Sequence, residues 1–208
     1  SEMWREVIKL QRYFKSHGVR PGDRIAGYLP NIPQATYAFL AATSLGAIWS
    51  CCSQDFGVSS VVDRFAKIEP VLFIAADGYY YNGKTHTRLE EIDAVRQSLQ
   101  GLRDTLLINY TGAVRDEVKS GITIYDTLID GNDEDPEFEA LPFDHPLWIL
   151  YSSGTTGAPK AITHSHGGCL LEHLKYLAFH NDVHPGERFF WYTTTGWMMW
   201  NFLHGSMM

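Results

Sequence analysis

A chain of 208 residues that is 45% apolar and 20% charged can bury one substantial core and is short of two independent enzyme domains. With 17 Lys and Arg against 24 Asp and Glu, the net charge is −7 and no basic cluster occurs, which argues against a nucleic-acid groove or an anionic membrane as partner. No apolar run approaches a membrane span, no charged, apolar and small-residue leader stands at the start, and three cysteines make no disulfide framework, so a soluble, cytoplasmic protein is expected.

Trp4, Val7, Ile8 and Phe14 recur at helical spacing and predict a first helix stopped at Gly18. After a Pro21–Gly22–Asp23 turn, 24–29 reads as a strand. A second helix follows over 34–45, with Asn31 and Pro33 at its start, Gly46 at its end, and so much alanine that it must pack closely on a sheet. The run 47–52 reads as a strand. Val61, Val62, Phe65 and Ile68 then predict a third helix, stopped by Pro70. The unbroken apolar run 71–76 predicts a strand covered on both faces.

Three tyrosines and an Asn82–Gly83 turn predict a hairpin over 79–88, read as a cover for the sheet edge. Leu89, Ile92, Val95 and Leu99 predict a helix, and 105–110 a strand. Strands and helices alternating over short connections imply right-handed crossovers, hence an α/β class with a mostly parallel, doubly wound sheet. The acidic run from Asp130 to Glu139 reads as a solvated connector. The expected division is a first α/β unit at 1–130, a connector at 131–141, and the start of a second α/β unit at 142–208.

The buried strand 147–150 leads into Ser152, Ser153, Gly154, Thr155, Thr156 and Gly157, then Pro159 and Lys160. Glycines let backbone N–H groups approach an anion, hydroxyls donate further hydrogen bonds, and a lysine adds a mobile positive charge, so the composition suits a polyphosphate cradle. It also suits a solvated Gly/Ser/Thr hairpin, and composition alone leaves both readings open. The stretch is not a Walker A loop, because Pro159 precedes Lys160 and Ala161 follows it; nor does a GxSxG or GxGxxG motif occur.

His164, His166 and Cys169 could be drawn as metal ligands, but no second Cys/His pair stands nearby, and structural or pocket-lining histidines are expected instead. Leu170, Leu171, Leu174 and Leu177 are expected to form the apolar face of a helix over 168–179, and 188–193 is expected to form a strand that ends at Thr193, Thr194, Thr195 and Gly196. Trp197, Met198, Met199, Trp200 and Phe202 suit either a core cluster or a pocket wall at a strand's C-terminal end, where open α/β sheets hold ligands.

The stretch YSSGTTGAPKAI resembles, residue for residue, the phosphate loop of the acyl-adenylate-forming enzymes, the superfamily of acyl-CoA synthetases, luciferases and peptide-synthetase adenylation domains. Beyond the loop, VRPGDRIAGYLPN, SCCSQDFG, HPLWILYSSGTTGAPKAI with HSHGG, and RFFWYTTTGWMMWNFL together resemble the acetoacetate-activating branch of that superfamily. The resemblance implies a two-step ligase using acetoacetate, ATP with Mg²⁺, and coenzyme A, in which an acyl-adenylate and pyrophosphate form and the thiol then displaces AMP.

It implies that Ser152, Ser153, Gly154, Thr155, Thr156, Gly157 and Lys160 embrace the β- and γ-phosphates, with Lys160 the catalytic charge. It further implies that Gly196 and Trp197 lie near the acyl and pantetheine region, while Met198, Met199 and Trp200 shape the acyl pocket. The adenine and ribose contacts and a late catalytic lysine of such enzymes have no counterpart here. The chain also begins in a helix and stops mid-element, so it is expected to be about a third of a longer enzyme, dependent on the remainder and inactive alone. An acetate- or propionate-activating synthetase, or a non-catalytic piece that binds no nucleotide, stays open.

Overall fold

The computed structural model describes residues 1–114, 119–130, 135–152, 157 and 159–207. Helix α1 (Glu2–Ser16) leads into β1 (Arg24–Tyr28), α2 (Pro33–Ser44), β2 (Ile48–Cys52), α3 (Val58–Phe65) and β3 (Leu72–Ala76). A hairpin, β4 (Gly78–Tyr81) and β5 (Lys84–Thr87), precedes α4 (Leu89–Ser98), β6 (Asp104–Ile108) and β7 (Ile122–Ile124). Then come β8 (Pro146–Ser152), β9 (Lys160–Ser165), α5 (His166–Phe179) and α6 (Met198–His204).

Seven strands form one sheet in the order β7-β6-β3-β1-β2-β8-β9. Every pairing is parallel except β8 with β9. Side chains alternate between two cores, as a period of two requires. Ile25, Leu72, Ile74, Leu106, Trp49 and Trp148 face α1, α2, α5 and α6. Ala26, Tyr28, Phe73, Ala75 and Ile149 face α3 and α4. The sheet is thus parallel for the most part and covered on both sides.

Several expected elements shift for identifiable reasons. Helix α3 ends at Phe65, five residues before Pro70, and the chain reaches the proline through Glu69 at φ +46°. The β4–β5 hairpin turns through Asn82 and Gly83, both at positive φ, as a two-residue turn of this kind needs. It covers no edge of the main sheet, whose edges are β7 and β9. It stands instead over the ends of β3 and β6, where Tyr80 meets Tyr110 and the Arg88 N–H donates to the Asp77 carbonyl.

Residues 188–193 have the composition of a strand but no ladder partner, and Phe190 and Tyr192 stand exposed. Strand propensity expresses packing against a neighbour, and this run has none among the described residues. Helix α5 has the expected period and a different phase. Cys169, His173 and Leu177 turn inward, while Leu170, Leu171 and Leu174 are 46%, 60% and 45% exposed. Gly167 sets that phase: a Cβ there would meet the Phe143 ring at 2.1 Å, so only a glycine edge lets the helix approach so closely.

The described part of the acidic run, 135–139, is mostly exposed and is tied along α1. Gln11 donates to the Glu137 carbonyl at 2.8 Å and accepts from the Glu137 N–H at 3.1 Å, and Phe138 packs edge-on against Trp4. The Lys15–Glu137 ion pair at 2.7 Å is about half exposed on both sides, so its share is at most about 1 kcal/mol; the near-buried Gln11 amide is the stronger tie. From there the chain enters β8, which joins the same sheet beside β2.

At the far end of β3, the wholly buried Asp77 carboxylate accepts from the N–H groups of Tyr110 (2.9 Å), Thr111 (2.8 Å) and Ala113 (2.7 Å). Three donors on one carboxylate fix the loop that leaves β6. Asp77→Ala should leave those donors unmet and lower the unfolding free energy by about 2–4 kcal/mol, read as a lower urea midpoint. Asp77→Asn, which keeps an acceptor, should cost less than half as much.

Candidate active site

In an open α/β sheet, ligands lie beyond the carboxyl ends of the strands where the strand order reverses. Here β1 is followed by β2 on one side and β3 on the other, so the reversal lies at the carboxyl ends of β1 and β3. Two segments converge on that rim. The first follows β8, whose C-terminal end lies on the same side because β8 runs parallel to β2. The second is 193–204, fastened where the Thr195 hydroxyl donates to the Leu29 carbonyl at 2.6 Å.

Of the loop residues singled out by sequence, Ser153, Gly154, Thr155 and Thr156 lie outside the described residues. Ser152 is the half-buried last residue of β8, paired directly with exposed Lys160 at the start of β9. Gly157 has φ +86° with open space where a Cβ would stand, so glycine is needed there for backbone conformation and not for room. Lys67, just past α3, donates to the Pro159 carbonyl at 2.9 Å, and the Tyr151 hydroxyl donates to the Arg64 carbonyl at 2.7 Å. A second lysine therefore flanks the loop. Sequence reading missed it, because 92 residues separate the two groups and no local pattern links them.

Gly196 lies against the end of β2, where an added Cβ would come within 3.3 Å of the Ser53 nitrogen. Trp197 is the residue before α6 and is 66% exposed. Met198 and Met199 line a cavity of about 720 Å³ between α5, α6 and β9, together with Trp148, Thr163, His164 and His173. Trp200 turns the other way. It is 1% exposed, donates its indole N–H to Asn31 Oδ1 at 2.9 Å and packs edge-on against Phe39.

The register joins loop and cavity. Trp148 opposes His164, Leu150 opposes Ile162, and Ser152 opposes Lys160, so all six share one face of the sheet. Trp148 and Leu150 belong to the core that holds α6, so Lys160, Ile162 and His164 line up on the α6 side. At about 3.3 Å per residue, the lysine stands on the order of 13 Å along the strand from the histidine.

The cavity is apolar with few titratable groups. Burial pushes the Cys169 thiol up to about 11, so it stays protonated and unreactive near neutral pH. His173 stacks on Trp148, with centroids 5.7 Å apart; burial first, and His164 beside it second, hold it below the ordinary histidine value. Burial does the same for His166 and His204. No group of three His, Cys, Asp or Glu side chains suited to a metal ion stands among the described residues.

A mostly parallel, doubly covered α/β sheet with a lysine at the carboxyl end of β8 and an apolar cavity further along the same face is a domain of the open-sheet type. The chain belongs to the AMP-binding enzyme family, which matches it over residues 1–207. It is 48% identical over 204 residues to the acetoacetyl-coenzyme A synthetase of Rhizobium meliloti (strain 1021), covering 97% of this chain and 31% of that protein. The solved acetoacetyl-CoA synthetase from Streptomyces lividans matches with a TM-score of 0.92 at 51% identity, over 99% of this chain and 31% of that one. The malonamoyl-CoA synthetase vrtB of Penicillium aethiopicum is 37% identical over 205 residues, 95% of this chain and 28% of that protein. The chain thus spans about a third of the length of the curated relatives it matches. Among the described residues, no helix is long and apolar enough to cross a membrane.

Three histidines held neutral by burial give folding a defined pH dependence. Their folded values lie below about 6.5, so the unfolded chain takes up protons first, and stability is full above that value and falls as pH drops through it. The urea midpoint should be lower at about pH 5.5 than at about pH 7.5. His173→Phe, which keeps a ring on Trp148, should flatten that slope.

Proposed function

We propose that this chain is the phosphate- and acyl-binding part of a longer cytoplasmic ligase that makes acetoacetyl-CoA from acetoacetate, ATP and coenzyme A. In the first step an acetoacetate carboxylate oxygen bonds to the α-phosphorus, and the bond to the pyrophosphate oxygen breaks. In the second, the coenzyme A sulfur bonds to the acyl carbon and AMP leaves with the electron pair of the broken C–O bond. Mg²⁺ enters only as the counter-ion of the nucleotide.

In this reading, residues 152–157 and Lys160 receive the β- and γ-phosphates and stabilise the charge that builds on the departing pyrophosphate. Lys67 adds positive potential at the loop's flank. Met198 and Met199 bound the acyl cavity, Gly196 and Trp197 form its mouth, and Trp200 supports it from the core. The observation that carries the proposal is the run of β9 from Lys160 to the cavity wall at His164, with both on one face.

Acetoacetate is favoured over acetate or propionate by the relatives. Their named products, acetoacetyl-CoA and malonamoyl-CoA, both carry a second carbonyl two carbons from the thioester.

The test uses the longer polypeptide of the relatives' length. Lys160→Ala should slow acetoacetate-dependent pyrophosphate exchange by about 10- to 100-fold, the loss expected for one charge-assisted contact, with the fold intact. Unchanged exchange would remove Lys160 from the mechanism. The 208-residue chain alone should show no coupled turnover of acetoacetate, ATP and coenzyme A.

A further inference from the structure

The cavity wall holds one polar group whose orientation the fold dictates. The Trp148 indole N–H donates to His164 Nδ1 at 2.9 Å. An indole nitrogen can only donate, so Nδ1 must accept, and the proton of the neutral imidazole resides on Nε2. Among the described residues no hydrogen bond engages Nε2, and the half-buried ring lines the cavity. A fixed N–H donor therefore stands unpartnered in a wall made largely of aromatic rings and methionines, whose other polar side chains are Thr163, Ser165, Glu172 and His173.

We propose that His164 is a specificity-determining residue whose Nε2–H donates to the second carbonyl of a 3-carbonyl acid, with Trp148 as the positioning residue that fixes its tautomer. This rests on the acyl-binding reading of the cavity given above. The strand supports the placement: the acid's carboxylate meets the phosphate end toward Lys160, and its uncharged tail points along β9 toward His164. Met198 and Met199 close around the tail's terminal group. An acid of equal length without that carbonyl leaves the donor unmet, and sites built to hydrogen-bond a substrate discriminate strongly against analogues that cannot.

The experiment compares acetoacetate with butyrate by pyrophosphate exchange in the longer polypeptide. His164→Asn keeps an oxygen near the Nδ1 position to accept from Trp148 and removes the donor that reaches the cavity. It should lower kcat/KM for acetoacetate by about 5- to 10-fold and leave butyrate within about 2-fold. His164→Gln, which carries an N–H near the Nε2 position, should recover part of the preference.

Equal losses for both acids in both variants would show a purely structural role and overturn the proposal. So would wild-type protein that uses butyrate as well as acetoacetate, although the ligase reading would survive that result. Folded wild-type protein inert toward every short acid would overturn both. Should His164→Asn fail to fold, the acid preference of His164→Gln and of the wild type decides.

Discussion

The site depends on one buried hydrogen bond. Thr195 is 1% exposed, and its hydroxyl donates to the Leu29 carbonyl, the first acceptor past the end of β1, across 166 residues of chain. A carbonyl at the end of a central strand has no ladder partner ahead of it and must find a donor or remain unmet in a buried place. Gly196 then passes against β2 where a side chain would crowd Ser53. These two residues set where α6 begins, and α6 carries Met198 and Met199 into the cavity. Further along, α6 is held by the packing of Trp200 and Phe202 and by the Trp200–Asn31 and Thr36–His204 hydrogen bonds.

The other half of the rim is placed by strand register. A one-residue slip of β9 against β8 would move Lys160 and His164 to the α3 face, away from α6. Trp148 and Leu150 hold β8 by staying in the core with Phe39 and Trp200, and β9, whose side chains are mostly exposed, is keyed to it by the ladder and by the Trp148–His164 bond. Burial of large apolar side chains, each worth about 1.5–3 kcal/mol, therefore holds the strand from which the loop leaves.

Where local pattern and tertiary demand agreed, the sequence was legible. The run 71–76 became a central strand because an unbroken apolar run suits burial on both faces, and α2 lies flat because its alanines permit close packing. The phase of α5 was hidden. Four leucines outweigh one cysteine and one histidine in any apolar pattern, yet Gly167 against Phe143 and Gly205 against His173 decide which side can approach. Likewise 188–193 has strand composition without a strand to meet, and β7 is three half-buried residues with no pattern to announce it. Of the site, the loop and Met198–Met199 were readable as motifs. Lys67 beside Pro159 and the Trp148–His164 bond were not, since both are products of the folded sheet.

On the proposed ligase reading, the distribution of charge gives the acid a direction. Among the described residues, the cavity wall has no lysine or arginine, and its one carboxylate, Glu172, is paired with Lys175 at 2.7 Å. His173 is kept neutral by burial. A carboxylate pointing inward would be stripped of water and left without a cation, at a cost of several kcal/mol. Pointing toward the loop, it stays near Lys160 and the nucleotide's counter-ion. On the proposed reading the cavity selects for the uncharged end of its ligand, because no cation lines it among the described residues. In that same reading, the separation lets one strand present a lysine for phosphate at one end and a neutral donor for a carbonyl at the other.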